Sequence, residues 1–142
     1  MASRLADKWV LITGASSGFG AAAARAFAAE GSRLLLGARR LDRLEEVAGE
    51  ARAAGSPGVH AHALDVASTN SVEAFAGWVR GVTGCVDVLV NNAGGAHGME
   101  PVAEGRDEDW EAMMQANVLG VLRMTRAMLP LVPRDAGGMI LN

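Results

Sequence analysis

Cysteine is almost absent from this sequence. Cys85 is the one thiol in 142 residues, so no intramolecular disulfide can form and no cysteine-based metal site can be assembled within one chain. Long apolar runs are absent as well: nothing approaches the roughly 20 residues that a helix needs to cross a bilayer. The first ten residues carry Arg4, Asp7 and Lys8 where a secretory leader would be apolar, and the expectation is a cytoplasmic chain with no membrane contact. An excess of basic charge is also lacking. Thirteen Lys and Arg against 16 Asp and Glu leave a net charge of −3, with the two signs interspersed, which argues against nucleic acid as a partner. The three histidines, His60, His62 and His97, have no further ligand at metal spacing, so no metal site is expected. Internal repeats, linkers and low-complexity stretches are absent too.

What is present is apolar and ordered. Half of the residues are hydrophobic, enough to bury the core of one domain spanning 1–142. Residues 8–13 (KWVLIT) form a short apolar run that ends in a glycine-rich turn, and 18–30 are rich in alanine, the best helix former. Gly31 stops that helix, and 33–37 (RLLLG) make a second strand. From Leu41, Leu44, Val47, Ala48 and Ala51 recur at helical spacing until Gly55 to Gly58 break the pattern. Residues 59–64 and 86–90 read as further strands, with a helix over 68–82 between them. This alternation is the signature of a doubly wound α/β fold, a parallel sheet with helices on both faces, because parallel strands need crossovers and the crossover helices shield the sheet.

After the fourth strand a glycine-containing loop, 93–98, leads to an acidic helix start at Asp107, Glu108 and Asp109, suited to the positive end of a helix dipole. Residues 117–131 are apolar on nearly every side, which predicts burial against the sheet on one face and against a partner on the other. The methionines Met113, Met114, Met124 and Met128 and the tryptophans Trp9, Trp78 and Trp110 read as core or interface filler. Residues 139–142 begin a fifth strand, inside which the sequence ends.

Four motifs sit at strand ends or helix starts. The first, Thr13 to Gly20 (TGASSGFG), has glycines spaced G-x-x-x-G-x-G between strand and helix. Glycine lets the backbone turn sharply and lie close to a pyrophosphate, and the helix N-terminus offers unpaired N–H groups and a positive dipole end. Ser16 and Ser17 add hydroxyls. At the end of the second strand stand Arg39 and Arg40, with no carboxylate before Asp42. An acidic residue there would bond the ribose 2′-OH of NAD, whereas a guanidinium can bind the 2′-phosphate of NADP. Asp65-Val66 closes the third strand and Asn91-Asn92-Ala93-Gly94 the fourth, both on the rim where open α/β sheets bind ligands. Asx residues at strand ends are also ordinary turn formers.

TGASSGFG, DV, NNAG and the Asn117-Val118-Leu119-Gly120 segment, in this order and spacing, resemble the short-chain dehydrogenase/reductase family. The stretches GARRLDRLEEV, NNAGGAHGMEP and EDWEAMMQANVLGVLRMTRAMLP are most similar to its bacterial NADP-dependent 3-hydroxy acid (serine-type) dehydrogenases. The resemblance implies a Rossmann-like fold and NADP(H) as cofactor. It implies cofactor contacts at Gly14, Ser16, Ser17, Gly18, Phe19, Gly20, Arg39, Arg40, Asp65, Val66, Asn92, Ala93 and Gly94, and a catalytic role for Asn117, which matches the asparagine of the family's tetrad. The other tetrad members, a serine just past the fifth strand and a Tyr-x-x-x-Lys, have no match here, and the sequence has no tyrosine at all.

Three readings stay open on this basis: the N-terminal part of an NADP-dependent oxidoreductase acting on a small hydroxy acid, alcohol or carbonyl; a catalytically silent NADP-binding module; or an assembly subunit, since the family commonly pairs through the Asn117 helix and the helix after it.

Overall fold

The computed structural model describes residues 3–135 and 137–142; Met1 and Ala2 of the N-terminal segment, and Ala136, lie outside the described residues. Five strands, β1 (Trp9–Thr13), β2 (Arg33–Ala38), β3 (Val59–Ala63), β4 (Val88–Val90) and β5 (Met139–Leu141), form one sheet in the order β3-β2-β1-β4-β5. All neighbours are parallel. Val10 pairs with Leu34 on one side and with Val88 on the other. The strand order therefore reverses at β1, and a crevice opens beyond the carboxyl ends of β1 and β4.

Alternation along the strands sorts the core into two layers. Val10, Ile12, Leu34 and Leu36 point to one face and pack on α1 (Gly18–Ala29) and α2 (Leu41–Ala53) through Ala24, Ala28, Leu44 and Val47. Leu11, Leu35 and Leu89 point to the other, where they meet α3 (Thr69–Val82) and α5 (Gly120–Met128) through Phe75, Val79, Met124 and Met128. Alanines let α1 approach the sheet closely, and Phe75, fully buried, fills the wider space on the opposite face. A helix α4 (Asp107–Met113) precedes α5, with its acidic residues in the first turn as expected.

Most elements fall within a residue or two of the sequence reading, and the exceptions have physical causes. β4 starts at Val88 and not at Val86, because the Val86 N–H donates to the Leu131 carbonyl, in the single 3-10 turn after α5, and so leaves the ladder. The segment 117–131 is not one helix: a π-helical turn, Met114–Leu119, runs into α5. Gly120, Met124 and Met128 are buried at a spacing of four while the outer side is open, with Leu122 60% exposed. Met114 and Trp110 belong to that open side and are not core filler.

Among the described residues no helix is long and apolar enough to cross a membrane, and no group of His, Cys, Asp or Glu is placed to hold a metal ion. His60 stacks near Trp9, and His62 near Trp78 and Phe75, so both rings serve as packing surface.

Candidate functional site

A cleft of about 670 Å³ lies at the carboxyl edge of the sheet. Gly14, Ser16, Ser17 and Phe19 form its floor, Arg39 and Arg40 close it on the β2 side, Asp65 and Val66 on the β3 side, and Asn92, Ala93 and Gly94 on the β4 side. His97, Ala112, Gln115 and Ala116 complete the rim. Three of the sequence-selected residues stand off the wall. Gly20 is buried beneath the turn, Gly18 faces an adjoining groove together with Arg25 and Asp42, and Asn117 sits behind Gly95.

The floor is set by the first turn. Gly14 has φ +64°, and a side chain there would come within 2.8 Å of the Ala93 Cα, so only glycine lets the β1 and β4 ends close on each other. The Thr13 hydroxyl, buried, accepts the N–H groups of Asn92 (3.1 Å) and Ala93 (2.9 Å). In return the Asn92 carboxamide donates to the carbonyls of Thr13 and Gly14, both at 3.1 Å. The side chain of Ser17 does not cap α1, and its first-turn N–H groups stay open to an outside acceptor, which makes the turn suited to an anion. Phe19 projects from that turn, 90% exposed.

On the β2 side the chain leaves the sheet with both guanidinium groups exposed, and neither Arg39 nor Arg40 enters any of the ion pairs among the described residues. The rim there is cationic and uncompensated. Asp65 has the opposite character: Oδ1 accepts the Ala67 N–H at 3.0 Å and the Asp65 N–H donates to the Ser71 hydroxyl at 2.9 Å. The carboxylate is thus engaged in an Asx turn that shapes the loop entering α3.

Asn117 lies within the π turn. Its Oδ1 accepts the Gly95 N–H and its Nδ2 donates to the Gly95 carbonyl, both at 2.8 Å. This pair pins the loop after β4 to the helix. π turns inside α-helices are rare and tend to mark functional sites.

Two participants have roles that the sequence reading does not assign; Asn91 enters it only as part of the Asn91-Asn92-Ala93-Gly94 turn. Asn91, buried, donates from Nδ2 to Thr125 Oγ1 (3.1 Å) and to Asn142 Oδ1 (2.8 Å), tying β4 to α5 and to the end of β5. Arg123 spans the π turn and the β3–α3 loop. Nothing in the sequence sets Arg123 apart from Arg126, the other charge in the 117–131 stretch. Cys85, the lone thiol, is outside the cleft; burial and then the neighbouring Asp87 carboxylate push its pKa up.

A family profile described as short chain dehydrogenase matches residues 8–142. The chain is 38% identical over 132 residues to an NADP-dependent 3-hydroxy acid dehydrogenase of Shigella flexneri, covering 92% of this chain and 52% of that protein. It is 39% identical over 129 residues to the serine 3-dehydrogenase of Agrobacterium fabrum, covering 90% and 50%. Among solved structures, L-sorbose reductase from Gluconobacter frateurii, complexed with NADPH and L-sorbose, superposes with a TM-score of 0.90 at 37% identity, covering 99% of this chain and 53% of that one. The chain spans about half the length of the relatives it matches.

Proposed function

From the premise that the chain belongs to the short-chain dehydrogenase family, we propose that it is the nucleotide-binding part of an NADP(H)-dependent oxidoreductase whose substrate is a small hydroxy acid, alcohol or carbonyl compound. The observation that carries this reading is the cleft itself: one wall is a glycine turn with open helix N–H groups, and the next is a pair of unpaired guanidiniums. A ligand with a pyrophosphate and a separate 2′-phosphate would use both, the first at the open N–H groups and the second at the guanidiniums.

In this reading the Phe19 amide and the hydroxyls of Ser16 and Ser17 face the pyrophosphate, Gly18 and Gly20 shape the turn behind them, and Gly14 keeps the backbone close to the ligand. Arg39 and Arg40 hold the 2′-phosphate. Val66 and Asp65 border the adenine, the Asp65 carboxylate through the loop it shapes and not as a free charge. Asn92, Ala93 and Gly94 form the surface on which the ribose rests. When bound, NADPH supplies the hydride that reduces a carbonyl. Asn117 matches the tetrad asparagine and in this chain fixes the Gly95 loop at the far end of the cleft. The likeness to relatives named for 3-hydroxy acids and serine supports a hydroxy acid as the substrate class. Titration of the chain with NADPH and NADH, followed by nicotinamide fluorescence, tests the reading, and equal affinities would overturn it.

A second reading is carried by α5 and its flanking turns. They present Met114 and Val118 of the π turn, Leu122 of α5 and Leu129 of the following 3-10 turn to solvent, exposed apolar side chains of the kind that mark an association surface. On this reading the chain assembles through the Asn117 helix with a second copy or a full-length relative. Sedimentation equilibrium at several concentrations tests it, with a purely monomeric chain as the contrary result.

A further inference from the structure

Arg123, on α5, makes hydrogen bonds that leave its own helix. Four of its donors are in use: Nη1 donates to the Val66 carbonyl at 3.2 Å and to the Gln115 carbonyl at 3.0 Å, Nη2 to Gln115 Oε1 at 2.6 Å, and Nε to Thr69 Oγ1 at 3.2 Å. Val66 belongs to the β3–α3 loop, next to Asp65, and Thr69 is the first residue of α3, whereas Gln115 lies in the π turn two residues before Asn117. A guanidinium is a planar fork with fixed donor directions, so acceptors on two separate segments held by one fork are held relative to each other.

We propose that Arg123 is a positioning residue: it locks the β3–α3 loop to the π turn and thereby sets the orientation in which Asn117 meets Gly95. Asn117 has no hydrogen bond to that loop; its side chain reaches forward to Gly95. Val66, one of the groups Arg123 binds, lines the cleft, as does Gln115, so the clamp joins the cleft's β3 wall to its helical rim. An apolar residue at position 123 would leave these acceptors to water and the two segments independent. The significance for cofactor binding rests on the function proposed above, but the geometry of the clamp does not.

The test is read in the cofactor-free chain by two-dimensional NMR of the Asn117 carboxamide and the Gly95 amide, with the β1 amides of Val10, Leu11 and Ile12 as reference. Arg123→Ala is expected to move both the Asn117 and the Gly95 resonances towards free positions while the β1 reference stays in place. Arg123→Lys, a point charge able to serve only some of the acceptors, is expected to recover part of the shift. Thr69→Val removes the acceptor of one arm far from Asn117 in sequence; it is expected to shift Asn117 in the same direction by less, and it serves if Arg123→Ala does not fold. Unchanged Asn117 and Gly95 signals in the folded variants would overturn the proposal, as would a shift spread equally over β1, which marks general destabilisation. A chain that binds no NADPH would overturn the proposed function and leave this measurement standing.

Discussion

Asn92 donates to Thr13 twice: its N–H to the Thr13 hydroxyl and its carboxamide to the Thr13 carbonyl. The strands they close are neighbours in the sheet and far apart in sequence, so this double contact fixes the two turns that border the cleft. Thr13→Val keeps the shape and removes the acceptor, leaving the Ala93 amide without its partner while the Asn92 amide keeps the Val90 carbonyl. A buried group left unpaired costs about 1 to 3 kcal/mol, and a loss of that size is expected, measured by urea denaturation. A change below about 0.5 kcal/mol would show that water replaces the hydroxyl.

The cationic rim gives a prediction on selectivity. Arg39→Asp reverses the charge where the 2′-phosphate is proposed to lie, and a charge-assisted hydrogen bond is worth about 1.5 to 3 kcal/mol. NADPH affinity is expected to fall roughly tenfold to a hundredfold, with NADH affinity unchanged or improved, as read by fluorescence titration of the same preparation. Parallel losses for both cofactors would place the arginine outside the phosphate contact.

The two positive-φ glycines of the first turn should behave differently. At Gly14 an added methyl meets the Ala93 backbone, whereas at Gly18, φ +55°, it meets nothing within 4 Å. Gly18→Ala is expected to cost only the left-handed backbone penalty, about 1 to 2 kcal/mol, and to weaken NADPH binding in a chain that still folds. Gly14→Ala is expected to destabilise the fold itself by more. Thermal melts with and without NADPH separate the two, and equal melting temperatures would contradict the geometry.

Cys85 carries a pH dependence. Desolvation first, and then the nearby Asp87 carboxylate, raise its pKa, with Lys8 opposing. The folded state thus binds the proton more tightly than the unfolded one. The resulting stability is fully present below the ordinary thiol value, about 8.5, and is lost as pH rises through the raised folded value. Alkylation by iodoacetamide is expected to be slow at pH 8 and to accelerate only at higher pH. Reaction at the rate of a free thiol at pH 8 would contradict this.

A polypeptide of these 142 residues has no tyrosine to move a proton at a substrate oxygen, as the family's tyrosine does. General acid–base catalysis contributes roughly 10² to 10⁴-fold, and NADPH oxidation with hydroxy acid-derived carbonyl substrates is expected to stay at background. Extension by fusion to the C-terminal half of a relative that carries a serine and a Tyr-x-x-x-Lys is expected to give turnover. Equal rates with and without that extension would show that the acid–base chemistry resides in the present residues.

Most of the sheet was legible because most strands are short apolar runs closed by a turn signal, whereas the facing of Val10 and Ile12 to one side and Leu11 to the other, all three being apolar, is seen only in the structure. The cleft residues followed from the same logic, since ligand sites gather where parallel strands end. What escaped was decided by contacts between distant segments. Val86 is as apolar as Val88, and only the Leu131 carbonyl removes it from β4. The π turn carries no glycine or proline within Met114–Leu119 to announce it, and the role of Arg123 exists only once Val66 and Gln115 stand on either side of it. Composition showed that the 117–131 segment is apolar, but which of its sides meets the sheet is fixed by Met124 and Met128 reaching Leu11 and Leu89.

The reversal of strand order at β1 has a consequence for how the binding cleft comes into being. Val10 finds Leu34 through a short crossover, but it meets Val88 only after a much longer stretch of chain has been gathered up. The cleft has walls from both neighbours, so it is absent from any state in which only the near pairing has formed. Its existence depends on the contact with the greater loop-closure entropy. A ligand that bridges the two turns would favour that costly closure in proportion to its own affinity, making occupancy of the cleft and the joining of the sheet's two halves a single coupled equilibrium.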